Sequence, residues 1–521
     1  MHPSLDLSAH RAPENGSAPM ARWEWAALWA CVALSLALGF ANLAKPSLWH
    51  DELVHIFVAK HIAQTGLPLL PSGTLYVSGT THNYLLALFV LLFGDGEASM
   101  RAPSALLAAL NVALTFGIAR ALLGRGTALC AAFLLATSPW AVAWSREARF
   151  YTMQQTFYLM LTWSAWLGMH AQERRLFFRH GSLSALAYIG GVLTALHGVI
   201  HLAPMGAYAF CNVVRERCIR SRWTLVCALI LVAIAVTMGV YFFTLPPVDR
   251  YVVFQVAGFG GKMIEHKYDP QRADRYFYFR YLNQNYSTGF YALAGIGTVL
   301  MLARGGRKGL YAALAFWAPL LVLTYFIGYR RYRFMFFEFP FYLVACSYAI
   351  AQGAAFLKTA RRAWWRVPVA AMIIVFGGRV ALSTARLVRD SLHVASGADA
   401  TLAQKHPQWR EPCHYVRARL DGAAVVSTTF LSSKYYVGKT DGWYPAWAYY
   451  WEEPETDVPG IKDIAAFQEF MRQHPKGFFL AERKRFHETP GVYQDVAWVE
   501  ANLRKIEEAS NKDVVVYAWG P

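Results

Sequence analysis

Apolar residues run along the chain in blocks of about twenty positions, broken by short polar or basic stretches. A helix of that length crosses a hydrocarbon layer about 30 Å thick. The first block, Trp23 to Leu43, is longer than a signal-peptide core and lacks a cleavage pattern, so it reads as an uncleaved first span. Further spans are expected at about 101–123, 127–145, 151–170, 182–197, 199–214, 223–244, 286–303, 309–327, 335–357 and 364–384, about eleven in all. The run His82 to Phe93, HNYLLALFVLLF, is shorter than a span needs to be and is assigned to an interfacial helix within the first loop. Counting it as a crossing would invert every later loop.

The basic residues test that assignment. With it, Arg120 and Arg125, Arg174 with Arg175 and Arg179, Arg215 with Arg217, Arg220 and Arg222, Arg304 with Arg307 and Lys308, and Lys358 with Arg361, Arg362 and Arg366 all fall on one side. Short loops rich in Lys and Arg stay cytoplasmic, so the N-terminus is expected inside and the tail outside. The outer regions large enough for chemistry are then the first loop, 44–100, a second loop, 246–285, and the tail. The polar head, 1–22, is expected to be disordered, and residues 23–384 form the transmembrane domain. In the tail, 385–521, short apolar runs (423–428, 477–481, 514–519) alternate with helical patterns (461–473, 494–508). The expected fold class is an α-helical polytopic membrane protein with a small C-terminal α/β domain on the periplasmic side.

Composition agrees. The 521 residues are 56% apolar and 16% charged, and a mean hydropathy of +0.26 is too high for a soluble chain of this size. The net charge of +17 would suit nucleic acid if it lay on one soluble face. It lies instead in short clusters between apolar blocks, so no nucleic-acid partner is expected. Of the seven cysteines only Cys413 is in the tail, and none has CxxC spacing, which supports neither a disulfide framework nor a zinc knuckle.

The chemistry is expected on the outer face. Ser47-Leu48-Trp49-His50-Asp51-Glu52 follows the first span and opens a helical pattern, LVHIFVAKHIAQTG. Two readings apply to its carboxylates. Ser47 or Asp51 caps the helix, or a partly desolvated Asp51 serves as general base toward an acceptor hydroxyl while Glu52 steadies the acceptor or a metal. Arg146 and Arg149, in SREARFY, and Arg330, Arg331 and Arg333, in YRRYRF, fall outside, against the charge rule. Guanidinium groups kept there suit an anionic partner such as a lipid phosphate. Otherwise they pair with Glu147, Glu338 or lipid headgroups. Glu147, Tyr151, Lys262, Lys267 and Arg275 are candidate acceptor or loop contacts. Asp51 and His55 lie one helical turn apart and are the candidates for a divalent metal; no cofactor is otherwise indicated.

WHDE after the first span, GLPLLPSG, FGDGEASMRAPSALLAAL, SREARFYTM and RYRFMFFEFP resemble, in order and side, bacterial GT-C glycosyltransferases related to protein O-mannosyltransferases and lipid A aminoarabinose transferases. The similarity covers about residues 23 to 350. It implies a GT-C membrane enzyme that moves a sugar, with inversion, from a polyprenyl-phosphate donor, and it maps the family's catalytic acid of the first outer loop onto Asp51, with Glu52 beside it. In such a displacement the acceptor oxygen loses a proton while the departing phosphate gains charge, so one carboxylate and one cationic clamp meet both needs. The acceptor is left open among lipid A or lipopolysaccharide, another envelope glycan, and protein hydroxyls. A bacterial inner membrane is the expected location. The chain departs from the larger members in having fewer spans. The rival reading is a transporter or flippase of lipid-linked saccharides, which would call for mid-span charges and related halves; few such charges and no internal repeat are seen.

Overall fold

The computed structural model describes residues 19–216, 274, 276–327, 330–360, 367–396, 407–445, 457–487 and 493–520. The expected span 223–244, most of the loop 246–285, and Lys262, Lys267 and Arg275 lie outside the described residues. The helical part is made of α1 (Arg22–Phe40), α2 (His50–Thr65), α3 (Thr80–Phe93), α4 (Glu97–Leu123), α5 (Arg125–Ala136), α6 (Pro139–Ser145), α7 (Tyr151–Met169), α8 (Arg174–Thr194), α9 (Ala203–Glu216), α10 (Phe277–Arg304), α11 (Gly306–Tyr325), α12 (Phe339–Ala360) and α13 (Val367–Ala395). By length and composition α1, α4, α11 and α12 can each cross a membrane. Counting each sharply bent helix pair as one span gives up to six among the described residues. The 14-residue α3 is a shorter apolar helix, as its sequence foretold.

Several expected spans are interrupted, for local reasons. The block 127–145 is broken into α5 and α6 with a bend of 58°. Pro139 disfavours helical geometry at Ser138 and supplies a ready first residue for α6, and Ser138 Oγ caps that helix by accepting from Ala141 N at 3.4 Å. The blocks 182–197 and 199–214 become α8, a 3₁₀ turn at Leu196–Leu202, and α9. That turn needs Gly198, where a Cβ would sit 2.6 Å from the Gly191 carbonyl oxygen. Before α12 the chain makes a 3₁₀ turn at Tyr332–Met335, so the helix starts at Phe339 rather than 335. The last helix, α13, runs on past position 384 to Ala395.

One large apolar cluster joins α1, α4, α5, α6, α7, α10, α11 and α12. Small residues let the helices approach closely, which matters where lipid gives no hydrophobic drive between them. Inside the bundle, Asn111 on α4 donates to the Thr152 carbonyl (3.0 Å) and to Gln155 Oε1 (3.1 Å) on α7. Thr156 Oγ1 donates back to Asn111 Oδ1 at 2.8 Å.

The C-terminal part is α/β. It contains α14 (Arg410–Arg417), β1 (Ala424–Ser427), α15 (Phe430–Tyr436), β2 (Gly442–Trp443), α16 (Ile464–Gln473), β3 (Gly477–Glu482), α17 (Arg483–His487), α18 (Tyr493–Asn502), β4 (Arg504–Lys505) and β5 (Val514–Trp519). The sheet order is β2-β1-β3-β5-β4. Strands β2, β1 and β3 are parallel, with Val426 opposite Phe479, and β5 runs antiparallel to both β3 and β4. One apolar cluster contains Phe467, Phe486 and Val499 of α16, α17 and α18 with Phe479 and Tyr517 of the sheet. A second is continuous with the first loop: Leu48, Leu53, Ile56 and Val58 share a core with Trp409, Cys413, Phe430, Leu431, Leu480 and Val516.

A Cβ placed at Gly297 on α10 would collide with the backbone carbonyl of Ala345 on α12. Gly297→Ala therefore forces the two helices apart and is expected to cost about 1–3 kcal/mol. Thermal unfolding of the purified protein in lipid nanodiscs checks it; an unchanged midpoint contradicts the close approach.

Candidate active site

Helix α2 starts at the edge of the bundle, with Trp49 as its N-cap and Asp51 and Glu52 in its first turn, where the helix dipole favours carboxylates. Neighbouring residues on a helix point about 100° apart, so the two carboxylates face different surroundings. Glu52 turns inward and is completely buried. Arg101 on α4 grips it in a bidentate pair, Nε to Oε1 at 2.8 Å and Nη2 to Oε2 at 2.8 Å. Ala148 N donates to Oε1 at 2.8 Å and Trp49 N to Oε2 at 3.3 Å. Arg101 also donates to the carbonyls of Leu43 (3.0 Å), Pro46 (2.8 Å) and Ser47 (3.1 Å). Glu52, expected to steady an acceptor or metal, is instead bound on both oxygens by groups of the protein.

Asp51 turns outward, with 29% of its side chain exposed. Arg149 Nη1 lies 2.8 Å from its Oδ2 and Arg333 Nη1 3.6 Å from the same oxygen. Tyr151 sits between the two arginines: Arg149 Nη2 donates to its hydroxyl at 3.1 Å, and both guanidinium groups lie near its ring, at 5.4 and 5.9 Å. Trp49 and Phe150 also face Arg149, at 5.9 and 5.5 Å. Three segments distant in sequence thus meet at one carboxylate. What brings the last of them is Gln155, one turn into α7, whose Nε2 donates at 2.7 Å to the Phe336 carbonyl just beyond Arg333. Burial is the largest influence on the Asp51 carboxyl and acts to raise its pKa. The opposing pull of Arg149, then Arg333, outweighs it and leaves the pKa below the ordinary value. The group is a carboxylate at neutral pH.

The remaining expected residues are distributed as follows. Arg146 does not join the cluster: its guanidinium donates to the carbonyls of Leu38 (3.3 Å), Gly39 (3.4 Å), Ala41 and Asn42 (3.1 Å), capping the C-terminal end of α1, where a cation is favoured. Glu147 is buried. Arg330 Nη2 donates to the Thr324 carbonyl at 3.0 Å, and Arg331 is half-buried beside it. His55 lies completely buried one turn below Asp51. Asn83 Nδ2 donates to the Ser78 carbonyl (3.0 Å), which turns its Oδ1 towards His55 Nδ1 at 2.7 Å and so makes Nδ1 the donor. Burial, then Arg149 and His82, push the His55 pKa well down, so the ring is neutral. With Asp51 committed to arginines, the Asp51–His55 pair is not set up as a metal site. Among the described residues no group of three His, Cys, Asp or Glu is placed to hold a metal.

Arg101 escaped notice in the sequence, although an arginine opening an apolar span demands a buried anion. His50, which meets Phe430 of the C-terminal part edge-on at 5.4 Å, gave no pattern to find. On another side of the first loop a groove of about 860 Å³ is lined mainly by Phe40, Leu43, Phe89, Phe93, Ala102 and Leu106, with Asn42, Lys45 and Ser99. None of the candidate residues lines it.

Residues 79–241 match the family described as dolichyl-phosphate-mannose-protein mannosyltransferase. That stretch includes Arg101, Arg149 and Tyr151, while Asp51 precedes it. Among solved structures the chain is similar to ArnT from Cupriavidus metallidurans in the apo state, with a TM-score of 0.62 at 14% identity over 96% of this chain and 100% of that one. The chain has the GT-C fold. ArnT bound to undecaprenyl phosphate matches this GT-C chain with a TM-score of 0.61 at the same identity and coverage. The archaeal oligosaccharyltransferase AglB from Archaeoglobus fulgidus, in complex with an inhibitory peptide and a dolichol-phosphate, matches with 0.59 at 13% identity over 92% of this chain and 71% of that one. No curated protein matches the sequence. Its apolar helices and these neighbours make the GT-C chain a multi-pass membrane protein.

The pair beneath Asp51 gives a stability prediction. Glu52→Gln leaves the Arg101 guanidinium, 1% exposed, without its anion, at an expected cost of about 3–5 kcal/mol. The double change Glu52→Leu with Arg101→Met is expected to recover much of that loss. Unfolding midpoints of the parent and the two variants test this; a Glu52→Gln protein as stable as the parent would deny the pair its structural role.

Proposed function

We propose that the GT-C chain is an inverting glycosyltransferase that moves a sugar from a polyprenyl-phosphate donor to a hydroxyl of an outer-face acceptor. The observation that carries this reading is Asp51: one partly exposed carboxylate held between Arg149 and Arg333. In the reaction Asp51 takes the proton from the acceptor hydroxyl as its oxygen attacks the anomeric carbon. The bond from that carbon to the phosphate oxygen breaks on the opposite face, which inverts the configuration. The electron pair leaves with the polyprenyl phosphate. Arg149 and Arg333 are shared between Asp51 and this phosphate, and in a site of low dielectric they offset the charge that develops on it. Neutralised in this way, the phosphate leaves without a general acid.

The relatives support the lipid half of this reading, since ArnT has been seen with undecaprenyl phosphate and AglB with dolichol-phosphate. The acceptor is lipid A or lipopolysaccharide, another envelope glycan, or a protein hydroxyl. On this reading the protein lies in a bacterial inner membrane with its N-terminus inside and its C-terminal α/β part in the periplasm, an orientation that the basic loops support. Arg330 and Arg331 are proposed as further contacts of the donor phosphate.

The test is transfer from a panel of radiolabelled polyprenyl-phosphate sugars to an envelope extract, with parent and Asp51→Asn proteins at equal folded amounts. The variant is expected to lose about 10²–10⁴-fold in rate; equal transfer by both removes Asp51 from catalysis. No transfer by the parent, with active donors, favours a transporter instead. The pH profile gives a second check. A carboxyl with a depressed pKa stays ionised above the ordinary carboxylate value of about 3.9 and loses its charge only as pH falls through its own lower value. Activity is therefore expected to show no carboxylate-dependent decline on acidification until below that ordinary value. Arg149→Gln, which removes the strongest lowering charge, should move the acid limb to higher pH.

A further inference from the structure

The C-terminal sheet contributes a second polar cluster beside α2. The chain leaves β1 towards β2 at one edge of the sheet and leaves β3 towards β4 at the other. Adjacent parallel strands whose onward connections diverge leave a crevice at their carboxyl ends, and open α/β sheets take ligands there. In this crevice Thr428 N donates to the Leu480 carbonyl at 3.0 Å and Glu482 N donates to Thr428 Oγ1 at 2.9 Å. Thr429 Oγ1 donates to Glu482 Oε2 at 3.3 Å, and Arg485 Nε pairs with the same oxygen at 3.4 Å. Both of these contacts go to Oε2, which leaves Oε1 free to accept from a ligand. One residue beyond Thr429, the Phe430 ring meets the His50 ring. His50 is the chain neighbour of Asp51, and it also lies within electrostatic reach of both Glu482 and Asp51.

We infer that this crevice is the acceptor subsite of the transferase: Glu482, Thr429 and His50 hold the hydroxyls of an uncharged sugar ring and present one of them to Asp51. The inference rests on the transferase reading above. The chemistry selects the ligand class. Arg485 already balances the Glu482 charge, so the crevice has no call for a cation. A spare carboxylate oxygen, a hydroxyl and an imidazole together accept and donate to neighbouring hydroxyl groups.

The experiment uses full-length protein in proteoliposomes, a polyprenyl-phosphate sugar that the parent transfers, and the envelope extract as acceptor. Each is titrated against a saturating amount of the other. For Glu482→Gln the half-saturating amount of extract is expected to rise about tenfold, the loss of one hydrogen bond to a charged group, while the half-saturating amount of donor stays within about twofold. Thr429→Val should move the same quantity in the same direction and serves if Glu482→Gln does not fold. A competition arm needs no variant: delipidated envelope polysaccharide should inhibit transfer, and a Ser/Thr peptide should not. An unchanged acceptor half-saturation, a change confined to the donor, or competition by the peptide alone overturns the subsite while leaving the transferase standing. Failure of the parent to transfer at all overturns the transferase reading, and the subsite falls with it.

Discussion

The candidate site depends on the buried Glu52–Arg101 pair. Two ions taken out of water attract strongly but pay a large desolvation penalty, so such a pair persists only when the remaining donors and acceptors are also satisfied. Here they are: Ala148 and Trp49 supply amide donors to the carboxylate, and three carbonyls between Leu43 and Ser47 receive the guanidinium. The result is a knot that ties the end of α1, the start of α2, the start of α4 and the turn before α7. Because Glu52 is fixed inward, Asp51 has one direction left, and it leads to Arg149 and Arg333. Arg146, bound over the end of α1, holds the same turn from the other side.

Around Asp51 the design is one of unequal exposure. Arg149 is nearly buried, Arg333 less so, and Asp51 the most open of the three. A charge of one sign surrounded by charges of the other, in a place that water reaches from one side only, has a strong field and little freedom to reorganise. That is the condition under which fixed charges act most effectively on a reacting group. The nearby histidines do not compete for this role. His55 is buried and its proton is assigned to Nδ1 by Asn83, so it adds no charge beneath the carboxylate.

Much of this was legible in the sequence, and the parts that were not have a common cause. The carboxylate pair after the first block and the arginines that defy the expected charge pattern stood out because each breaks a one-dimensional rule: charge does not belong at the edge of an apolar block without a partner. The alternation of short apolar runs and helical patterns in the tail gave the α/β part. Pro139 marked the break in one apolar block, yet hydropathy averages over such a single residue; Gly198 fell between two expected blocks, where the chain does turn. The division of labour between Asp51 and Glu52 was hidden, since adjacent carboxylates look alike until a partner such as Arg101, far along the chain, claims one of them. Arg146 and Arg149 were indistinguishable for the same reason. Contacts such as His50 with Phe430 are set by tertiary packing alone, and no periodicity announces them.

The core shared by α2 and the C-terminal sheet has a consequence for how the protein is made. Leu53, Ile56 and Val58 leave the ribosome long before the residues that cover them, among them Phe430, Leu480 and Val516. Until then the opening loop presents an uncovered greasy face next to Asp51. Only the arrival of the C-terminal sheet closes it. A chain stalled before that sheet would therefore carry every arginine of the site and still lack a finished one, so the order of synthesis itself delays the site until the sheet has been made.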